Sequence, residues 1–213
     1  GVDLVGEVTR WDLSQYYSGS DYGKHGSFIE DIDCFDALFF NISGLEANFM
    51  DPQQRLFLEE AWKALEDAGY AGNGIKGRRC GVYAGCGAGD YQRLFWGNGP
   101  AQAFWGNVPS LIPARISYYL DLQGPAVAID TACSSSLVAI HYACQALWTG
   151  EVEMALTGGV YLQSTPLLFL YANQAGMLSK TGCCHTFDEQ ADGFVPGEGV
   201  GVIVLKRLKE AIA

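Results

Sequence analysis

The chain has 213 residues, 13 basic and 24 acidic side chains for a net charge of -11, with 49 % hydrophobic and 17 % charged content. That is a globular composition, long enough for one large domain or part of one, and it excludes a disordered chain. The acidic balance disfavours nucleic acid and anionic membrane surfaces as partners, and no stretch approaches the ~18 uninterrupted apolar residues of a membrane span.

The first 49 residues hold few periodic segments, and residues 16–26, rich in Gly, Ser and Tyr, are expected to form an exposed loop. The pattern then predicts a helix over 52–68. Asp51 can cap it, Pro52 suits its first turn, and Leu56, Ala61, Trp62, Leu65 and Ala68 fall near helical spacing before Gly69. Residues 80–85 give a short apolar strand, followed by a Gly- and aromatic-rich connection to Gly106. A buried strand is predicted over 126–130, leading through Cys133 into a helix over 134–148 that carries Leu137, Ile140, Cys144 and Leu147 and stops at Gly150. Residues 154–157 and 199–205 read as two further buried strands, and 166–175 as a helix. Strands alternating with helices imply an α/β layer structure with at least part of the sheet parallel.

Cys133 sits at a predicted strand-to-helix turn, the setting in which a thiol becomes a useful acyl acceptor. Unpaired N–H groups and the dipole at a helix start favour a thiolate, the turn projects the side chain, and the following backbone can present an N–H to an oxyanion. The alternative for any free cysteine is an inert, buried small hydrophobe. Seven cysteines form no C-x-x-C pair and no charged-then-apolar leader precedes them, which fits a reduced cytoplasm.

The segment Asp130-Thr131-Ala132-Cys133-Ser134-Ser135-Ser136, entered from Gly124-Pro125, resembles the nucleophile segment of β-ketoacyl synthases. Further blocks match in order: Phe35-Asp36 through Asn41-Ile42-Ser43, Met50-Asp51-Pro52-Gln53-Gln54-Arg55, Gly106-Asn107, Arg115-Ile116-Ser117-Tyr118, Gly158-Gly159, Thr186-Phe187-Asp188, Ala191-Asp192-Gly193, and Gly197 to Gly201 running into Leu205 to Leu208. Within that family the wording is similar to condensing domains of modular bacterial polyketide synthases, and among them to those served by separate acyltransferases. It departs from the usual wording at Ile112 to Arg115, Lys180, Cys183 and His185.

The resemblance implies a thiolase-like fold, two similar α/β halves in layers, working as a homodimer. Cys133 would take an acyl group from the phosphopantetheine arm of an acyl carrier protein. A malonyl-type extender would then lose carbon dioxide and attack the thioester, with no cofactor or metal beyond the carrier's arm. In the family two histidines and a lysine assist from the second half of the domain. Residues 1–213 are therefore expected to be a partial domain, truncated at both ends, that needs its remaining half and is inactive in condensation alone. A non-catalytic acyl-binding or dimer-forming remnant, and an enzyme limited to acyl transfer, are the alternatives. Residues 105–110 are expected to approach a second protomer.

None of the three histidines matches a catalytic position. His141 lies about 12 Å beyond Cys133 along the predicted helix at 1.5 Å per residue, His25 falls in a Gly-rich loop, and His185 follows Cys183-Cys184 in a turn. Adjacent Cys183, Cys184 and His185 lack the spacing of a structural zinc site. Asp188 and Glu198 are read as structural acceptors of backbone N–H groups, and Lys206, Arg207 and Lys209 as solvated rather than as a docking site.

Overall fold

The computed structural model describes residues 4–18 and 22–212. In chain order the elements are β1 (Gly6–Glu7), β2 (His25–Gly26), α1 (Gly44–Phe49), α2 (Pro52–Asp67), β3 (Cys80–Gly85), α3 (Ala101–Trp105), α4 (Leu111–Tyr119), β4 (Ala126–Ile129), α5 (Ser135–Thr149), β5 (Met154–Tyr161), α6 (Leu167–Gln174), β6 (Gly199–Lys206) and α7 (Leu208–Ala211). They fall into two compact units, one of Gly1–Asp31 with Gln163–Gly199, the other of Ile32–Leu162 with Val200–Ala213.

The larger unit is built on a four-stranded sheet in the order β4-β3-β5-β6. Its central strand, β3, is buried at every position and runs parallel to both neighbours, with Gly85 opposite Ile129 on β4 and opposite Gly159 on β5. The carboxyl ends of three strands therefore meet at one edge of the sheet, where ligands commonly bind in α/β folds. Helix α5 lies across the sheet on Ala139, Ala143, Ala146 and Leu147, which pack with Tyr83, Ile129, Val152 and Ala155. Three alanines in that stripe let the helix approach the strands closely. Helix α2 starts where the sequence places it: the Asp51 carboxylate accepts the Gln53 N–H at 2.8 Å, Pro52 occupies the first turn, and Phe57, Leu58, Ala61 and Leu65 are buried.

Two predicted burials are corrected. Only Ile129 of β4 is buried, because β4 is the end of the sheet and has one strand neighbour. Strand β6, at the other end, alternates exposed and half-buried residues instead of being buried throughout. Helices α1, α3 and α4 carry too little apolar periodicity to stand out in the sequence. Ser43 caps α1 by accepting the Glu46 N–H, and Pro113 sits in the first turn of α4, so the unusual Ile112 to Arg115 wording is helical here. Lys206 and Arg207 are not simply solvated. Lys206 donates to the Tyr70 hydroxyl and the Glu210 carbonyl, while Arg207 donates to the Leu147 and Val152 carbonyls and pairs with Glu210.

The smaller unit packs Leu13, Phe169, Ala172 and Leu178 with Trp11, Tyr22 and Phe28. Residues expected to form an exposed loop are partly pinned. The Asn173 side chain binds both backbone groups of Gly23, and Tyr17 stacks on Tyr22 and donates to the Leu170 carbonyl. Positions 19–21 of that stretch lie outside the described residues. Glu198 organises the unit. Its fully buried carboxylate pairs with Arg10 and accepts the N–H groups of Ile29 and Gln163, and Arg10 also donates to the Ile29 and Gln163 carbonyls. The guanidinium lies 4.8 Å from the centre of the Phe28 ring. The structural role read for Glu198 holds, and Asp188 likewise accepts the Gln190 N–H at 2.9 Å.

Candidate active site

The five residues between β4 and α5 turn the chain sharply. Ala132 carries them through the left-handed region with φ of 55°, rare for a residue with a β-carbon. Its N–H donates to Asp130 Oδ1 at 3.0 Å, and its carbonyl accepts from the Ser135 N–H at 3.0 Å and the Ser135 hydroxyl at 2.6 Å. Ser135 Oγ also accepts the Thr131 N–H at 2.9 Å, while Ser134 Oγ lies 2.9 Å from the Thr131 carbonyl and from its hydroxyl. Cys133 stands between these braced residues with its side chain exposed, at the strand-to-helix turn the sequence indicates.

No side chain caps the start of α5, since Ser134 bonds backwards to Thr131. The first N–H groups of the helix are left without a side-chain cap, two residues beyond Cys133. The turn rests on two glycines, paired across β3 and β5, whose purpose does not show in the sequence. A β-carbon on Gly85 would fall 2.5 Å from Ser136 N and 2.6 Å from Ser135 C, and one on Gly159 would fall 2.7 Å from Ser136 Cβ. Glycine in strand interiors is the signal that marks such a close approach.

The other thiols are placed differently. Burial pushes Cys80 and Cys86 up to about 12, with Asp130 and Asp51 adding negative charge near Cys86. Cys34, Cys183 and Cys184 are exposed, and Cys144 is half-buried on α5. His141 lies on the exposed side of α5 with its ring against Tyr142; His25 is in β2, not a loop, with its Nδ1 buried and unpartnered among the described residues. In the 105–110 segment Asn107 donates to the carbonyls of Phe49 and Ala103, and Trp105 is exposed.

Asp51 lines a shallow cleft with Gln54, Gly87, Gly89 and Asn107. Burial raises its carboxyl from 3.8 to about 6, the nearby Asp90 charge adds to this, and the Gln53 N–H opposes it. Because the folded state holds this proton more tightly than the unfolded chain, the contribution of Asp51 to stability is greatest below the ordinary carboxylate range and declines as pH rises from 4 through 6. The gap corresponds to roughly 3 kcal/mol. Asn caps a helix as well as Asp does, so Asp51→Asn is expected to flatten this dependence. In urea unfolding between pH 4 and 8 the variant should gain on the wild type as pH rises; parallel pH curves would contradict the assignment.

An exposed thiol thus stands on a braced turn of an α/β domain, at the carboxyl ends of parallel strands and the head of a helix without a side-chain cap. The chain belongs to the β-ketoacyl synthase family: the model "Beta-ketoacyl synthase, N-terminal domain" matches residues 1–211. Among curated relatives, polyketide synthase PksL of Bacillus subtilis is 49 % identical over 212 residues, covering 97 % of this chain and 5 % of its own length. Polyketide synthase PksM of the same organism is 48 % identical over 210 residues, covering 99 % of this chain and 5 % of its own. The solved ketosynthase from module 6 of the bacillaene synthase of Bacillus subtilis superposes with a TM-score of 0.90 at 46 % identity, over 98 % of this chain and 36 % of that one. The oxazolomycin ketosynthase domain OzmH KS7 of Streptomyces albus gives 0.90 at 40 %, over 99 % of this chain and 38 % of that one. The fold is thus the thiolase-like α/β fold of ketosynthases, and the chain spans a little over a third of those solved domains.

Proposed function

We propose that this chain carries the acyl-accepting part of a polyketide chain-elongation enzyme, with Cys133 as the nucleophile. The observation that carries this is the exposed thiol at the uncapped start of α5, held on a turn braced from both sides. The Cys133 thiolate attacks the carbonyl of an acyl thioester on the phosphopantetheine arm of an acyl carrier protein. The carbon–sulfur bond to the arm breaks, the arm's thiol leaves with a proton, and the acyl group remains on Cys133. A malonyl-type thioester then loses carbon dioxide, and its carbanion forms a carbon–carbon bond to the acyl carbon and expels the Cys133 thiolate. The groups that stabilise this second step are assigned to the rest of the synthase domain. A homodimer is proposed on the apolar residues that α5 leaves exposed, Leu137, Tyr142 and Trp148, since a helix apolar on all sides is normally covered. Cysteines that are all unpaired fit a cytoplasmic location. Among the described residues no helix is long and apolar enough to cross a membrane.

The test is incubation of the chain with an acyl-loaded carrier protein, followed by intact mass. One acyl mass should be gained, and Cys133→Ala should abolish it. An unlabelled wild type, or a variant labelled as fast as the wild type, would overturn the proposal.

A further inference from the structure

We infer that Ser135 is the positioning residue of the nucleophile: its hydroxyl locks Ala132 in the left-handed conformation and so fixes the peptide that carries the Cys133 N–H. The inference rests on Cys133 being the acyl acceptor. A left-handed alanine persists only where the surroundings over-determine it, and Ser135 holds it on two sides. The hydroxyl accepts the Thr131 N–H and donates to the Ala132 carbonyl, so one oxygen ties the peptide that enters Thr131 to the peptide that leaves Ala132 and closes the turn around the strained residue. The Ala132 carbonyl and the Cys133 N–H belong to the same planar trans peptide and point in opposite directions. Fixing the carbonyl by two bonds from Ser135 therefore aims the N–H and the Cys133 side chain.

Ser135 is suited to this where its neighbours are not. Asp130 makes one bond to the turn from an exposed position, whereas Ser135 is buried, 8 % exposed, and its backbone is pressed onto Gly85. Ser135 does not touch the reacting atoms in this arrangement; it acts through Ala132.

The test compares the wild type with Ser135→Ala, Ala132→Gly and the double variant, reading Cys133 alkylation by iodoacetamide and acetylation by the acetyl thioester of N-acetylcysteamine. Losing the two hydroxyl bonds should slow both reactions about tenfold in Ser135→Ala. Glycine adopts positive φ without steric cost, so the double variant should recover to within about threefold of the wild type. A general loss of packing would not be repaired by a more flexible neighbour, which separates positioning from a merely structural role. Ser135→Ala reacting at the wild-type rate, or a double variant as slow as Ser135→Ala, would overturn the inference. If Ser135→Ala does not fold, the double variant decides: folded and reactive supports the role of Ser135, unfolded overturns it. Iodoacetamide needs no acyl site, so its rates test Ser135 even when the thioester leaves Cys133 untouched, a result that would instead overturn the proposed function.

Discussion

Replacing Glu198 by alanine is expected to cost about 3 to 5 kcal/mol, the range for breaking a buried ion pair by removing one partner. The loss has two parts. Arg10 would keep its place over the Phe28 ring without a counter-charge, and the N–H groups of Ile29 and Gln163 would lose their acceptor in the interior. Against a domain stability of roughly 5 to 15 kcal/mol, that is enough to unfold a marginal chain. Glu198→Gln keeps an acceptor oxygen but not the charge, so its loss should be intermediate. Urea unfolding of the three proteins checks this. A Glu198→Ala midpoint close to that of the wild type would mean that the pair organises nothing.

Gly85→Ala should have the larger effect on chemistry. The new methyl would meet backbone atoms of Ser135 and Ser136 at about the length of a strong hydrogen bond, and no flexible side chain there can yield. Overpacking of this kind costs roughly 1 to 3 kcal/mol. The start of α5 must lift from the sheet, and a displacement near 1 Å at a reacting group costs about 100-fold in rate. Cys133 labelling by a thioester is therefore expected to fall by about two orders of magnitude while most of the fold persists. Gly44→Ala is the control, since nothing lies within 4 Å of its added β-carbon, and it should label at the wild-type rate. Equal rates for Gly85→Ala and the control would contradict the glycine platform.

The turn at Cys133 was legible because its signals are local. An apolar run, a cluster of small polar residues and a helical stripe ending in glycine follow each other within one stretch of chain, and each is set by backbone and side-chain preferences over a few residues. The start of α2 was legible for the same reason, since Asp51 and Pro52 act on the helix they precede. What escaped is non-local. The exposure of β4 follows from its place at the end of the sheet, and strand order is not written in the strand itself. Arg10 and Glu198 are 188 residues apart, and nothing near either announces the other. Gly85 and Gly159 become a platform only when β3 and β5 align in register beneath α5. Ser135 is the middle of three consecutive serines, and only the turn geometry distinguishes it from its neighbours.

The most direct test of the central claim is the distribution of a thioester label over the seven cysteines, resolved by peptide mapping, beside an assay for carbon dioxide released from a malonyl thioester. Cys80 and Cys86 are held protonated by burial and should stay unlabelled, while Cys34, Cys183 and Cys184 are exposed but do not stand on a strand-to-helix turn. The structure predicts that Cys133 takes the acyl group first and that this chain alone releases no carbon dioxide above background. Label spread evenly over the exposed cysteines would contradict the special status of Cys133, and condensation by the isolated chain, lost in Cys133→Ala, would contradict the assignment of the second step to the rest of the domain.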